Sequence, residues 1–271
     1  MHARWEELSA GVWVGRFAFL DQSIGVVAGD GASAVVDTRG SVRLGAELAE
    51  DVRSIGVPPV SLVVDTHHHW DHAYGNRAFP DAEIWGHVGV EPGFRREAAR
   101  HEALLEEYPE MVGHWDDLVV VPPTRTFAET AYVDVGGRRL ELRHLGRAHT
   151  DDDVVVLDRM SGTAFAGDLV ENGAPPYFGD GFPLDWPETV ARLLDEMGET
   201  VVPGHGEPDG RRFVEEQLTA FLALADLARR VVRGDLDLEG AVTESPFGDC
   251  PSTRDALARG IAQVRGELDG S

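Results

Sequence analysis

Seven consecutive residues carry the strongest signal in this sequence: Thr66-His67-His68-His69-Trp70-Asp71-His72. They directly follow an apolar run at 61–65 that predicts a buried strand, so the histidines lie where a strand ends and a loop can turn them toward one point. Neutral imidazole and carboxylate are ligands that zinc and iron prefer in proteins. A lone histidine would indicate an ordinary surface or core residue, whereas this cluster predicts a metal site.

Three short motifs further along the chain offer the same donor chemistry. They are Gly146-Arg147-Ala148-His149-Thr150, Ala166-Gly167-Asp168-Leu169 and Pro203-Gly204-His205-Gly206. Each motif is weak alone. Their joint occurrence, in this order and next to predicted strands, is far more specific.

The pattern His-x-His-x-Asp-His resembles the signature of the metallo-β-lactamase superfamily, and the local run resembles that of glyoxalase II. With the three downstream motifs, the resemblance covers about residues 11–207. It implies an α/β fold, the αβ/βα four-layer sandwich. Two central sheets would then carry helices on both outer faces, with the metals at one sheet edge.

The resemblance also implies two metal ions, zinc in the first place, with iron or manganese as alternatives. It assigns seven side chains to them: His67, His69 and His149 to the first ion, Asp71, His72 and His205 to the second, with Asp168 bridging. The two carboxylates of the set, Asp71 and Asp168, are also its catalytic candidates. Sub-families with cysteine in place of Asp168 do not apply, since Cys250 is the only cysteine.

Four residues near the ligand motifs are expected to hydrogen-bond the outer ring nitrogens of the ligand histidines, which would fix their orientation. They are Asp65, Thr66, Thr150 and Asp153. His68 is expected to pack or support its neighbours rather than to bind metal. The histidines without a partner motif are interpreted as ordinary surface or core residues.

The ligand set implies an enzyme, a metal-dependent hydrolase in which a metal-bridging hydroxide attacks an acyl carbon. Esters, thioesters, lactones and lactams all remain open as substrates. The sequence after His205, the last predicted ligand, has no basic cluster typical of a glutathione-binding site. The segment after Asp168 offers Glu171 rather than a cation that could bind a β-lactam carboxylate. Glutathione thioesters and β-lactams are therefore less favoured.

Two other classes use the same scaffold. One is a persulfide dioxygenase with a single iron on two histidines and one aspartate, and the other is a non-catalytic binding module. A mononuclear site would not need all seven donors, and a binding module would be expected to have lost some of them. The complete set favours a dinuclear hydrolase.

A segment rich in proline and glycine, 175–183, leaves the predicted strand that ends near Asp168 and is expected to run past the metals. Its aromatic residues are Tyr177, Phe178 and Phe182, with no Lys or Arg close in sequence. These three are candidate substrate-binding residues that would favour an apolar or neutral acyl group. The alternative is that they only anchor the loop to the core.

Periodicity predicts strands near 11–19, 24–28, 33–37, 83–87, 132–135, 140–144, 154–157 and 163–166. Helices are predicted near 44–55 and 186–197. We expect one metallo-hydrolase domain over 1–271, with a helical insertion at about 91–117 and a helical C-terminal segment from about 208.

Composition restricts the partners. The net charge of −24 repels the phosphate backbone that dominates nucleic-acid affinity, so a small-molecule substrate is expected and nucleic acid is not. No apolar stretch approaches the roughly 18 residues of a membrane span. The single cysteine and the lack of an apolar leader predict a soluble, cytoplasmic enzyme. The sequence indicates no oligomeric state.

Overall fold

Two β-sheets lie at the centre of the computed structural model, which describes residues 3–116 and 118–268. The first sheet has seven strands in sequence order: β1 (Arg4–Ser9), β2 (Val12–Phe17), β3 (Gln22–Ala28), β4 (Ser33–Val36), β5 (Val60–Val64), β6 (Glu83–His87) and β7 (Arg125–Phe127). Neighbouring strands are antiparallel from β1 to β4 and parallel from β4 to β7. The carboxyl ends of β4 and β5 therefore lie at the same sheet edge.

The second sheet has six strands: β8 (Thr130–Val135), β9 (Arg138–Arg143), β10 (Val155–Asp158), β11 (Thr163–Gly167), β12 (Thr200–Pro203) and β13 (Asp209–Gly210). Their spatial order is β13-β12-β11-β10-β9-β8. Only the β11–β12 pair is parallel. Both strands of this pair run toward the same edge, where the motifs containing Asp168 and His205 follow them.

Eight α-helices accompany the sheets within the described ranges: α1 (Val42–Ser54), α2 (Trp70–Ala73), α3 (Val90–Ala99), α4 (His101–Glu107), α5 (Trp186–Glu196), α6 (Arg211–Arg233), α7 (Leu238–Glu244) and α8 (Pro251–Val264). Helix α1 packs on the outer face of the first sheet, and α5 to α8 pack on the outer face of the second. A third apolar cluster fills the space between the sheets. The predicted αβ/βα four-layer sandwich is confirmed.

The central strands are mostly apolar because both of their faces are buried. In β5, Val63 contacts the cluster under α1, whereas Leu62 and Val64 contact the cluster between the sheets. Side chains alternate between the two faces of a strand, so a strand covered on both sides needs apolar residues at every position. This accounts for the continuous apolar runs from which the strands were predicted.

Local sequence accounts for one hairpin turn and one helix start. Gly136 and Gly137 join β8 to β9 with φ values of 58° and 79°. Positive φ at both central residues belongs to the tight hairpin turn that glycine accommodates best. At the start of α1 the Ser41 hydroxyl accepts a hydrogen bond from the backbone N–H of Leu44 at 3.1 Å.

The stretch from Val90 to Met111 contains α3, α4 and one short 3-10 helix. It lies beside the edge that carries the histidine motif, since the ring of Tyr108 contacts that of Trp70 at a centroid distance of 5.1 Å. None of the described helices is both long enough and apolar enough to cross a lipid bilayer.

A buried ion pair lies within the second sheet, and its arginine also contacts the first sheet. Arg138 on β9 donates to both carboxylate oxygens of Asp158 and to the carbonyl of Ala10, in the turn between β1 and β2, at 2.9 Å. Its side chain is 7% exposed and that of Asp158 is fully buried. Arg138 therefore connects the second sheet to the first through its hydrogen bond to the Ala10 carbonyl.

We predict that Arg138→Met lowers the free energy of unfolding by about 3 kcal/mol, because it leaves the buried Asp158 carboxylate without its cation. Denaturant unfolding of the metal-free protein measures this. The matched control is Arg125→Met, which breaks an exposed pair with Glu83 and should cost less than about 1 kcal/mol. Equal effects of the two substitutions would contradict the assignment of the Arg138 pair as a buried ion pair.

Candidate metal centre

The ligand motifs all lie in loops that leave strands at one edge of the sandwich. The histidine run follows β5, Asp168 follows β11 and His205 follows β12, while His149 lies in the loop between β9 and β10. Backbone hydrogen bonds join these loops, from Val154 N to Thr66 O at 2.7 Å and from Gly204 N to Gly167 O at 2.8 Å. The four motifs therefore meet as one site.

The first donor group consists of His67, His69, His149 and Asp168, all buried. His69 Nδ1 lies 3.1 Å from His67 Nε2 and 2.8 Å from His149 Nε2. Asp168 Oδ2 lies 3.8 Å from His67 Nε2 and 3.4 Å from His149 Nε2. Four donor atoms thus surround a single point.

The second donor group consists of Asp71, His72 and His205, again with Asp168 beside it. Asp71 Oδ2 lies 3.3 Å from both His72 Nε2 and His205 Nε2, and the two imidazole nitrogens are 3.2 Å apart. Asp168 Oδ1 lies 3.3 Å from His72 Nε2, and Oδ2 lies 3.4 Å from His205 Nε2. The Asp168 carboxylate therefore stands between the two groups.

These separations fit metal ions. Tetrahedral zinc with bonds of about 2.0 to 2.1 Å places its donor atoms roughly 3.3 Å apart. Among the described residues, Asp168 Oδ1 is buried and has no hydrogen-bond partner, as expected for an oxygen that a cation would satisfy. A Cβ at Gly204 would lie 1.8 Å from that oxygen, so only glycine leaves room for this carboxylate.

Each of the five histidines in the two groups has its outer ring nitrogen hydrogen-bonded. The five acceptors are Thr66 Oγ1 for His67 at 3.1 Å, Asp180 Oδ1 for His69 at 3.0 Å, Asp37 Oδ2 for His72 at 2.8 Å, Tyr177 O for His149 at 3.0 Å and Leu20 O for His205 at 2.8 Å. Such contacts fix the ring orientation and the tautomer. They direct Nδ1 of His69 and Nε2 of the other four rings into the site.

Only one of the four expected supporting residues makes the expected contact. Thr66 binds His67, whereas Thr150 and Asp153 hydrogen-bond each other and Asp65 accepts from Asn76 Nδ2 at 2.8 Å. The expectation for Asp65, Thr150 and Asp153 was therefore wrong. Proximity in sequence placed them near the site but could not determine the direction of their side chains.

Asp37 and Asp180 support ligand histidines and were missed. A signal existed for Asp37, because β4 is parallel to β5 and ends at the same edge. Asp37 accepts from the backbone N–H of Thr66 at 2.8 Å, from its hydroxyl at 2.9 Å and from His72. Asp180 gave no local signal, since 111 positions separate it from His69.

His68 lies outside both donor groups, as expected. Its Nδ1 contacts Asp152 Oδ2 at 2.9 Å, and its ring packs against α3, where a Cβ at Gly93 would lie 2.2 Å from it. Burial lowers the pKa of His67 and lowers that of His149 to about 4.

A family model described as the metallo-beta-lactamase superfamily matches residues 18–205. The chain belongs to the metallo-beta-lactamase superfamily. The match spans all seven donor residues and ends at His205, before α6.

Several solved structures share the fold of this chain. A double mutant of the sec-alkyl sulfatase PisA1 aligns with a TM-score of 0.78 and 15% identity, covering 99% of this chain and 51% of that chain. A metallo-beta-lactamase from Pontibacter korlensis aligns with a TM-score of 0.63 and 21% identity, covering 82% and 99%. The metallo-beta-lactamase FIM-1 from Pseudomonas aeruginosa, in its mono-zinc form, gives 0.66 and 17%, covering 82% and 96%. No curated protein sequence matches the chain.

In this superfamily member, the donor groups open into a pocket between the α3–α4 region and the loop that follows Asp168. Apart from the donors, its lining includes Leu20, Trp70, Glu97, Arg100, Leu104, Tyr108, Glu171, Ala174 and Tyr177. Burial and the negative charge of Asp168 raise the pKa of Glu171 to about 8. The wall is thus largely apolar, with one cation and two carboxyl groups.

The structure corrects the expected aromatic wall. Phe178 is 1% exposed and packs against Trp186 and Phe221 in the core, so it cannot contact a substrate. Phe182 lines a different cavity, under the Arg147 guanidinium. Only Tyr177 reaches the pocket, and there its hydroxyl accepts from Arg100 at 2.8 Å.

The segment 175–183 has no Lys or Arg close in sequence, yet the pocket contains a cation. Arg100 lies at the α3–α4 junction, 77 positions from Tyr177, and enters the pocket through tertiary packing. The charged residues of the segment 175–183 could not predict the presence of Arg100, because Arg100 belongs to a distant part of the chain.

We predict that Asp37→Asn weakens metal binding about 10- to 100-fold, because the amide supports His72 and Thr66 less well than the carboxylate does. Competition with a chromophoric chelator measures the affinity. The control Asp134→Asn changes an exposed carboxylate in the β8–β9 turn and should leave affinity unchanged. Wild-type affinity in Asp37→Asn would show that this contact does not orient the ligand.

Proposed function

We propose that this protein is a dinuclear metal-dependent hydrolase that acts on a small-molecule ester, thioester or lactone, with zinc as the preferred metal. The observation that carries the proposal is the pair of donor groups that share Asp168. Each group supplies three further His or Asp donors at metal-binding separations. The pocket beside them is open to a substrate of limited size.

When bound, two such cations would supply a nucleophile by lowering the pKa of a coordinated water to about 7, and they would polarise the scissile bond. The chain's own residues hold and orient the donors and shape the pocket. Leu104, Tyr108 and Tyr177 provide apolar surface for the substrate. Glu171 keeps a carboxyl group at the pocket wall, where its Oε1 accepts from the backbone N–H of Tyr177 at 2.9 Å.

The complete second donor group favours a hydrolase over a mononuclear iron dioxygenase. If a single ion were bound by two histidines and one aspartate, Asp71, His72 and His205 would have no metal to bind. Instead, His72 Nδ1 is hydrogen-bonded to Asp37 Oδ2 at 2.8 Å. The corresponding hydrogen bonds of His67, His69 and His149 in the first group are 3.1, 3.0 and 3.0 Å long. Iron or manganese would also accept imidazole and carboxylate donors, so zinc is proposed from the donor chemistry and from the zinc-containing neighbour FIM-1.

Hydrolysis of an alkyl sulfate ester is a second candidate. The alignment with the sec-alkyl sulfatase extends over 99% of this chain, beyond the part that the lactamases cover. Arg100 also places a cation in the pocket that could meet an anionic group. The apolar remainder of the wall suits either an acyl or an alkyl chain.

We predict that Asp168→Ala lowers kcat/KM at least about 100-fold while the metal-free fold stays intact, because loss of a shared ligand should exceed the effect of losing an outer partner. Turnover, metal content and thermal unfolding of the metal-free protein measure the three effects. Asp195→Ala, an exposed substitution on α5, is the control. Full turnover and full metal content in Asp168→Ala would contradict the bridging role.

A kinetic panel tests the substrate class: esters, thioesters and lactones with apolar acyl chains, S-lactoylglutathione, a penicillin and a secondary alkyl sulfate. We expect the highest kcat/KM for an apolar ester, thioester or lactone. Tyr177→Ala should lower it about tenfold, the effect of losing roughly 1.4 kcal/mol of apolar contact. Tyr132→Ala, which removes an exposed aromatic side chain on β8, should have no effect.

Two other outcomes of the kinetic panel would change the proposed substrate class. A maximum for the alkyl sulfate would select the second candidate. A maximum for the glutathione thioester or the β-lactam, with Tyr177→Ala unchanged, would refute the proposed role of the pocket wall.

A further inference from the structure

Helix α8 holds the loop that supports the first donor group. The loop, residues 176–185, leaves the pocket wall and crosses the end of the sandwich. Ser252 at the start of α8 donates to the carbonyl of Pro176, and Gln263 near its end accepts from the backbone N–H of Leu184 at 2.8 Å. Helix α8 therefore contacts the loop close to both of its ends.

Arg259 binds the centre of this loop. Its guanidinium donates to the carbonyls of three consecutive residues, Gly179 at 3.2 Å, Asp180 at 2.7 Å, and Gly181. A planar guanidinium with five donors can satisfy several acceptors at once, which a lysine ammonium cannot do in the same geometry. The backbone position of Asp180 is thus fixed from α8.

The side chain of Asp180 points in the opposite direction, toward the metal centre. Its Oδ1 accepts from His69 Nε2 at 3.0 Å, and its Oδ2 lies 3.4 Å from His68 Nε2. This contact with His69 selects Nδ1 as the donor to the first metal. Asp180 therefore contacts both Arg259, through its backbone carbonyl, and the ligand His69, through its side chain.

The second donor group is supported from elsewhere in the fold. His72 is held by Asp37 at the end of β4, and His205 by the carbonyl of Leu20 in the turn before β3. Neither contact involves the 176–185 loop. A disturbance of that loop should therefore affect the two donor groups unequally.

We propose that Arg259 is a positioning residue of the first metal site, acting through Asp180 on the orientation of His69. The proposal rests on the two-metal function proposed above. It assigns a role in metal binding to α8, which lies beyond the matched family segment at 18–205.

Titration of the metal-free protein with Co²⁺, followed by visible absorption, tests this role one site at a time. The first site is isolated with His72→Ala and the second with His149→Ala, and Arg259→Gln is introduced into each. We expect about a tenfold weaker Kd and an altered visible spectrum at the first site, since outer-partner contacts are worth 10- to 100-fold in affinity. The second site should keep its Kd. Arg259→Lys should restore part of the lost affinity.

The control is Arg254→Gln on the same helix, where the guanidinium pairs with exposed Glu239 and Asp249. It should change neither site. Unchanged Co²⁺ affinity and spectrum at the first site in Arg259→Gln would overturn the proposal. Equal weakening of both sites, together with lower thermal stability of the metal-free protein, would also overturn it and assign Arg259 a purely structural role. Fewer than two Co²⁺ ions per wild-type chain would instead contradict the proposed function.

Discussion

The carboxylate of Asp168 lies buried between two sets of imidazole nitrogens, and the organisation of the site depends on it. A buried carboxylate is costly unless cations or hydrogen-bond donors compensate its charge. Oδ1 has no hydrogen-bond partner among the described residues, and Oδ2 lies within 3.4 Å of both His149 Nε2 and His205 Nε2. Two cations would satisfy both oxygens at once, which links the two donor groups into one centre.

Both sheets are needed to assemble that centre. The first sheet delivers the histidine run at the end of β5, and the second delivers Asp168 and His205 at the ends of the parallel pair β11 and β12. Apolar packing between the sheets and the hydrogen bond from Arg138 to the Ala10 carbonyl fix their relative position. The rigid sandwich holds the donor atoms about 3 Å apart, while the surrounding loops shape the pocket.

The seven predicted donors lie together in the structure because short motifs at strand ends carry them. Strand ends bring the motifs together, and a group of His and Asp side chains at one sheet edge is typical of a metal site. The residues that hydrogen-bond the ligand histidines or line the pocket were harder to predict from the sequence. Asp37 could be inferred from the shared edge of β4 and β5, but Asp180 and Arg100 reach the site through packing between segments far apart in the chain.

The aromatic residues after Asp168 show the same limit. Tyr177, Phe178 and Phe182 look equivalent in sequence, yet one lines the pocket, one is in the core and one faces another cavity. Their directions depend on the loop conformation, which α8 fixes from outside the motif region. A segment rich in proline and glycine has no regular periodicity from which the direction of each side chain could be predicted.

The central claim is that Asp168 joins two metal ions in one hydrolytic centre. The most direct test is elemental analysis of the purified protein, combined with a crystal structure that uses anomalous scattering at the absorption edge of the metal found. We expect two ions per chain, mostly zinc, one in each donor group with Asp168 between them. One iron per chain, confined to a single donor group and accompanied by oxygen consumption on persulfides, would contradict it.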